Sequence, residues 1–561
     1  MRRPRAHGAW PLAAALLVAC APLDGGYDAD QLRRELRRAT RQADQSFHAG
    51  APVELGADGP ARFLDALARA FDRGKALRLV RTIDAGFRAP ANEHYEAGLE
   101  ALAAHLRDAG FGSAERLELA WLVEPEPVAA WTPLSARVEL VDAAGEVEPL
   151  HAFAAPADRE RTLIAQGSPG GALEGPVCLR PEDLPADGSG VLVGLEAPAR
   201  LLAELGERRA AAVLGAPLAA YHQTAAAGAE AAELLAYARV PAATAIPCLC
   251  ISRRSAERLR AGAGLRVRID ARVRSEPRPL RHLVATIRGA RAPDEAVVVA
   301  AHLDEPGAND NASGCAGMAE GAVAIARALQ DDRISWPAAS VSFVFGAEFV
   351  QSRAWLEQSQ LRARAAIAAD MLGNSRARTG AIALLEREPD PSLTRMLPPD
   401  EPSGWGSSEA RTGQTPGGLS LIARCALVDV GLRERTFESR DHPFEGGSDH
   451  QVFLERGIPA VLFWHFPDRT YHTNLDRYDR VDGRELEASA LAVLATALAV
   501  ADPQARDFER YLGSHVLEEG LRIEAARAAG DPALEQSWRA WSAPRRQWLR
   551  ELCLPSATIA R

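Results

Sequence analysis

The stretch AVVVAAHLDEPGANDNASG, Ala296 to Gly314, decides the fold. Its first six residues are apolar without alternation, the pattern of a strand buried on both faces of a parallel sheet. His302 and Asp304 follow as that strand ends, and Asp310 stands where a helix with a polar start begins. Pro306 and Gly307 supply the tight turn that lets both acids reach one centre. In open α/β sheets, ligands gather outside the carboxyl ends of the strands. A lone strand-end Asp is more often a helix cap or turn residue, so this stretch points to a site only if other strand ends supply donors too.

They do. ASVSFVFGAE ends in Glu348, AAIAAD ends in Asp370, and IPAVLFWHF is followed by a loop that carries His472. Strands and helices alternate through this region, which predicts an α/β fold with a mixed, mostly parallel sheet flanked by helices. Imidazoles and carboxylates at four successive strand ends form a first-row metal donor set, with zinc the natural choice. Other chemistries lack their motifs. GGS at Gly446–Ser448 does not have the spacing of a nucleophile elbow. GSPGG at residues 167–171 does not lead into a helix with a Lys, so it reads as a turn.

The ordered set HLD, GANDNASG, ADMLG, SDHQVFLERGIPAV and YHTNLDRYDRVD, within about 280–490, resembles the family of zinc aminopeptidases with two metals. That family also includes glutamate carboxypeptidases and glutaminyl cyclases. The resemblance implies that His302 and Asp370 bind one metal, that Glu348 and His472 bind the other, and that Asp310 bridges them. It implies that Asp304 orients His302 from behind, as Asp476 would His472. The implied cofactor is zinc, two ions or one, and the implied substrate is a peptide or aminoacyl compound cut at its N-terminus.

The resemblance frays at FGAEFVQS, residues 345–352, where the family carries two adjacent Glu, first a general base and then a ligand. If Ala347 stands at the base position, Glu348 is the ligand and the base is missing. If Glu348 is the base, Phe349 replaces a ligand. The first alignment is preferred on the spacing from Glu348 to Ser352. Glu305, Asp449 and His450 are other side chains that could supply a base. A silent binding or scaffold protein and a single-zinc cyclase-like enzyme are the competing expectations.

Around this core, residues 135–275 change texture to short strands and Gly/Pro turns, and resemble an inserted protease-associated domain. Residues 61–134 read as the N-terminal part of the peptidase domain, 276–505 as its core, and 506–561 as a helical packing segment. MRRPR followed by AWPLAAALLVA and a Cys predicts a lipoprotein signal over residues 1–19, lipid attachment at Cys20 and a tether over 20–60. The expectation is an exported cell-envelope protein that meets the membrane through its lipid alone. A net charge of −10 gives no footprint for nucleic acid. The other six cysteines stand in apolar contexts and read as small buried hydrophobes.

Overall fold

A computed structural model describes residues 56–223, 225–394 and 416–554. The signal, the Cys20 attachment point and most of the tether lie outside the described residues. Among the described residues no helix is long and apolar enough to cross a membrane.

Fifteen strands are described: β1 Leu117–Val123, β2 Val128–Val141, β3 Val147–Phe153, β4 Gly171–Cys178, β5 Val191–Gly194, β6 Ala212–Gly215, β7 Cys248–Cys250, β8 Arg266–Arg278, β9 Arg281–Ile287, β10 Ala292–His302, β11 Ala339–Gly346, β12 Arg362–Ala369, β13 Ile382–Glu386, β14 Ser439–His442 and β15 Ala460–Phe466. Eight of them form one mixed sheet in the order β1-β9-β11-β10-β12-β15-β13-β14. Its four central strands, β11, β10, β12 and β15, are mutually parallel. Register aligns their carboxyl ends. His302 pairs with Gly346, Ala300 with Ala368, and Ala369 with Phe463. Glu348 and Asp370 therefore emerge on the same rim as His302.

Helices cover both faces. On one face lie the helices Ala312–Gln330 and Gly483–Ala501, almost wholly buried. They approach closely because one is built of small residues: a Cβ on Gly321 would meet Leu494 Cδ2 at 2.8 Å. The helices Ala61–Ala70, Arg73–Ile83 and Glu93–Asp108 pack on the same core through Phe63, Leu67, Val80, Tyr95 and Leu102. On the other face, Trp355, Phe444, Phe453 and Leu454 form a smaller core with Val298 and Val344.

The remaining seven strands form a second sheet in the order β3-β2-β8-β4-β5-β6-β7. It has its own core, including Val138, Val193, Leu214, Leu249 and Ile269. The long antiparallel pair β2–β8 is its stalk: at its base Ala130 packs in the main core, while neighbouring Trp131 packs in the second.

Residues 374–445 contribute β13, β14 and the helix Leu419–Arg433. β13 runs antiparallel to β15 and extends the main sheet. β14 is only SRDH, four polar or half-buried residues at the sheet edge, so no apolar pattern marks it. The six cysteines of the described residues are free and buried.

After β13 the chain buries Glu388 against Ser420, whose N–H and hydroxyl donate to Oε2 at 2.9 and 2.8 Å. Burial raises this carboxyl to about 7 despite those donors. A carboxyl that holds its proton more tightly when folded contributes stability below the ordinary carboxyl range and loses it as pH rises through about 7. Glu388→Gln is therefore predicted to raise the melting temperature at pH 8.5 and to leave it within about 1 °C at pH 5, read by differential scanning calorimetry at both pH values.

Candidate metal centre

The four strand ends deliver their donors into one small volume. His302 Nε2 lies 3.2 Å from Asp370 Oδ2, 3.6 Å from Asp310 Oδ1 and 4.0 Å from Glu348 Oε1. His472 Nε2 lies 3.0 Å from Asp310 Oδ2 and 2.7 Å from Glu305 Oε2. The donors fall into two groups that could each hold a cation: His302, Glu348 and Asp370, and Glu305, Asp310 and His472. Asp310 turns one oxygen toward each imidazole, so it lies between the two centres. Buried Oδ1 of Asp370 has no hydrogen-bond partner, and the donor chemistry suits divalent zinc. The residues present therefore fit the metal that the resemblance implies.

The supporting contacts differ in part from expectation. Asp304 Oδ1 faces His302 Nδ1 at 3.6 Å and accepts the Glu348 N–H at 2.9 Å. Asp476 does not back His472; its carboxylate accepts the N–H groups of Asn309 and Asp310 at 2.8 and 2.9 Å and so fixes the Asp310 backbone. Gly307 makes this possible, since a Cβ there would sit 2.1 Å from Asp476 Oδ2. Asp449 and His450 stay out of the centre. Asp449 accepts from Phe349 N–H, Gln351 and Ser352, bracing the turn after β11. His450 is buried against Glu386 at 2.9 Å.

Ala347 is the position suspected of lacking an acid. It is buried in the main core with Phe343 and Phe345, whereas Val344 belongs to the core on the opposite face. Strand parity carries Ala347 to the packed face. Glu348 is thus the acid that the end of β11 presents to the centre.

Sequence reasoning considered Glu305 only as a substitute base and overlooked its partners. Its Oε1 accepts from Arg239 Nη2 at 2.7 Å. Arg239 comes from the segment between β6 and β7, in the chain stretch that builds the second sheet. In that segment Tyr237 packs edge-on against His472 at 5.3 Å between ring centroids, and its N–H donates to the His472 carbonyl at 2.6 Å. The Ser448 hydroxyl donates to Asp370 Oδ2 at 3.1 Å.

The electrostatics follow from burial of this acidic cluster. Burial disfavours a charged His302, but Asp370 and Glu348 outweigh it and push the imidazole well up. The same opposition leaves His472 raised to about 10, through Glu305 and Asp310. Burial also raises Glu348, and the neighbouring Glu305, Asp370 and Asp304 carboxylates add to it against the pull of His302. This is a centre that draws in positive charge.

Fold and site together define a class: an α/β metallohydrolase fold with clustered metal donors at the ends of parallel strands. Residues 282–497 match the sequence model of Peptidase family M28. The fold is similar to that of a zinc aminopeptidase from Bacillus subtilis, with TM-score 0.51 and 16% identity over 77% of this chain and 96% of that one. It is likewise similar to a peptidase M28 precursor from Shewanella amazonensis, with TM-score 0.52 and 15% identity over 79% and 96%. A curated relative from Pyricularia oryzae, described as "Probable zinc metalloprotease", is 24% identical over 317 residues, 47% of this chain. The match spans about three fifths of that relative's length, 59%.

The loop that carries Glu305 and Asp310 hangs on Arg88, a fully buried guanidinium. It donates to the carbonyls of Leu303 at 2.8 Å, Gly307 at 2.6 Å and Ile83 at 3.1 Å. Arg88→Met is predicted to cost about 3 kcal/mol of stability and to weaken zinc retention, measured by urea unfolding with and without added zinc.

Proposed function

We propose that this protein is a zinc-dependent aminopeptidase that hydrolyses the N-terminal peptide bond of its substrates. The observation that carries the reading is the paired constellation on one rim, with Asp310 between the imidazoles of His302 and His472 at 3.6 and 3.0 Å. The match of residues 282–497 to Peptidase family M28 supports it.

Zinc bound at such a centre polarises a carbonyl oxygen and lowers the pKa of water toward about 7. The chain's own residues do the rest. His302, Asp370, Asp310 and His472 would hold the cations, and Glu305 and Glu348 bring two further carboxylates to the same rim. Asp304, Asp476 and Ser448 hold those donors in place through the contacts described above. The surplus of carboxylates at the rim suits a substrate that arrives with a free ammonium group, which favours exopeptidase over internal cleavage. His472 is the most open of the donors, its side chain 32% exposed, so substrate reaches the centre from that side, beside Arg239.

The reading predicts two zinc equivalents per chain by elemental analysis. It predicts hydrolysis of aminoacyl amides or dipeptides that is lost with a chelator and restored by zinc. N-acetylation of the substrate should lower kcat/KM by at least ~100-fold, about 3 kcal/mol. No turnover across a broad aminoacyl-amide and dipeptide panel, with zinc fully loaded, would sink it.

A further inference from the structure

Two glutamates enter the centre from neighbouring strand ends, and the structure separates their surroundings. We infer that Glu305, on the loop after β10, is the carboxylate ligand of the second cation, which leaves Glu348 free to move the proton. This inference rests on the zinc reading above and assigns roles within it.

Geometry carries the assignment. Glu305 Oε2 and Asp310 Oδ2 lie 2.7 and 3.0 Å from His472 Nε2, so three donors face one point. The other oxygen of Glu305 is held by Arg239 at 2.7 Å. A ligating carboxylate needs this arrangement, with one oxygen toward the ion and the other fixed from behind. The backbone beneath it is clamped. Glu305 N–H donates to the Arg88 carbonyl at 2.8 Å, and Arg161 donates to the Pro306 carbonyl. Glu305 has φ +79°, a left-handed conformation that a non-glycine residue keeps only where its surroundings impose it.

Glu348 is placed differently. Its nearest approach to His302 Nε2 is 4.0 Å, beyond hydrogen-bond distance and the longest of the contacts around that ring. With Asp310 shared, one cation has His302, Asp370 and Asp310, and the other has His472, Glu305 and Asp310. Three protein donors each is the number a catalytic zinc uses, with the next position open to water. Glu348 is then surplus to ligation and stands beside the first centre, next to His302 and Asp370. The unpartnered buried Oδ1 of Asp370 and the convergence of His302 Nε2 with three carboxylates mark this as a cation site rather than an acidic patch. In the proton step, water oxygen bonds to the scissile carbonyl carbon and its proton passes to the Glu348 carboxylate. The carbon–nitrogen bond then breaks, and the leaving nitrogen takes that proton from Glu348.

The test reads metal content as well as rate. The full chain, Glu305→Ala, Glu305→Asp and Glu348→Gln are stripped, reloaded with zinc and analysed for equivalents bound and affinity by competition with a chromophoric chelator. Melting of the stripped proteins reports folding independently. The wild type is expected to bind two equivalents and Glu305→Ala one. Glu305→Asp, which keeps the charge but shortens the reach, should weaken the second equivalent by at least ~10-fold. Glu348→Gln should keep both within about threefold and lose ~10²–10⁴-fold in turnover. Two undiminished equivalents in a folded Glu305→Ala, or loss of one in Glu348→Gln, overturns the assignment. No zinc bound by the wild type overturns the metallopeptidase reading itself, a different failure from either.

Discussion

Negative charge gathered where four parallel strands end is the constraint on which the rest of the structure depends. Asp304, Glu305, Asp310 and Asp370 are all at most 5% exposed, and Glu348 joins them at the same rim. Buried carboxylates in such proximity are costly unless cations pair with them. The fold supplies some of that pairing through Arg239 and two imidazoles, and the donor geometry calls for the rest from metal. The backbone shows what holding the cluster requires. Of the six non-glycine residues with positive φ among the described residues, four are Glu305, Phe349, Met371 and His472. Each is a site residue or its immediate neighbour. Strain of this kind persists where the surroundings over-determine it, and here they do: Arg88, Asp476 and Asp449 hold the loops from beneath.

The second sheet is more than a spacer in this account. Arg161, between β3 and β4, donates to the Pro306 carbonyl and pairs with buried Asp84. Leu235 and Asn474 exchange hydrogen bonds across the boundary, through Asn474 N–H to the Leu235 carbonyl and Leu235 N–H to Asn474 Oδ1, both 2.9 Å. Tyr237 and Arg239 complete the wall around His472 and Glu305. The chain between β2 and β8 therefore supplies part of the site, and its packing on the main domain sets the geometry of the second centre.

Much of this was legible in the sequence, for a physical reason. A parallel strand buried on both faces must be apolar, so VVVAA, SFVFG, AAIAA and AVLFW stood out; His302, Glu348 and Asp370 follow the first three runs at the rim, and His472 lies in the loop after the fourth. Three features were not legible in that way. β13 and β14 are short edge strands, one of them polar. Asp476 stands close to His472 in sequence, but the chain turns its carboxylate to the Asn309 and Asp310 amides. Glu305 sits in a loop with no periodicity, and only the fold brings it against His472. Ala347 follows the end of β11 and is buried in the main core with Phe343 and Phe345.

The central claim is that this chain holds two cations, with the second carboxylate ligand drawn from the β10 loop rather than from the end of β11. Anomalous diffraction at the zinc edge from zinc-loaded crystals of the full chain tests it most directly. The account predicts two peaks about 3.5–4 Å apart, one bonded to His302 and Asp370, the other to His472 and Glu305, with Asp310 between them and Glu348 bonded to neither. A single peak, or a second ion ligated by Glu348 with Glu305 turned away, would contradict it.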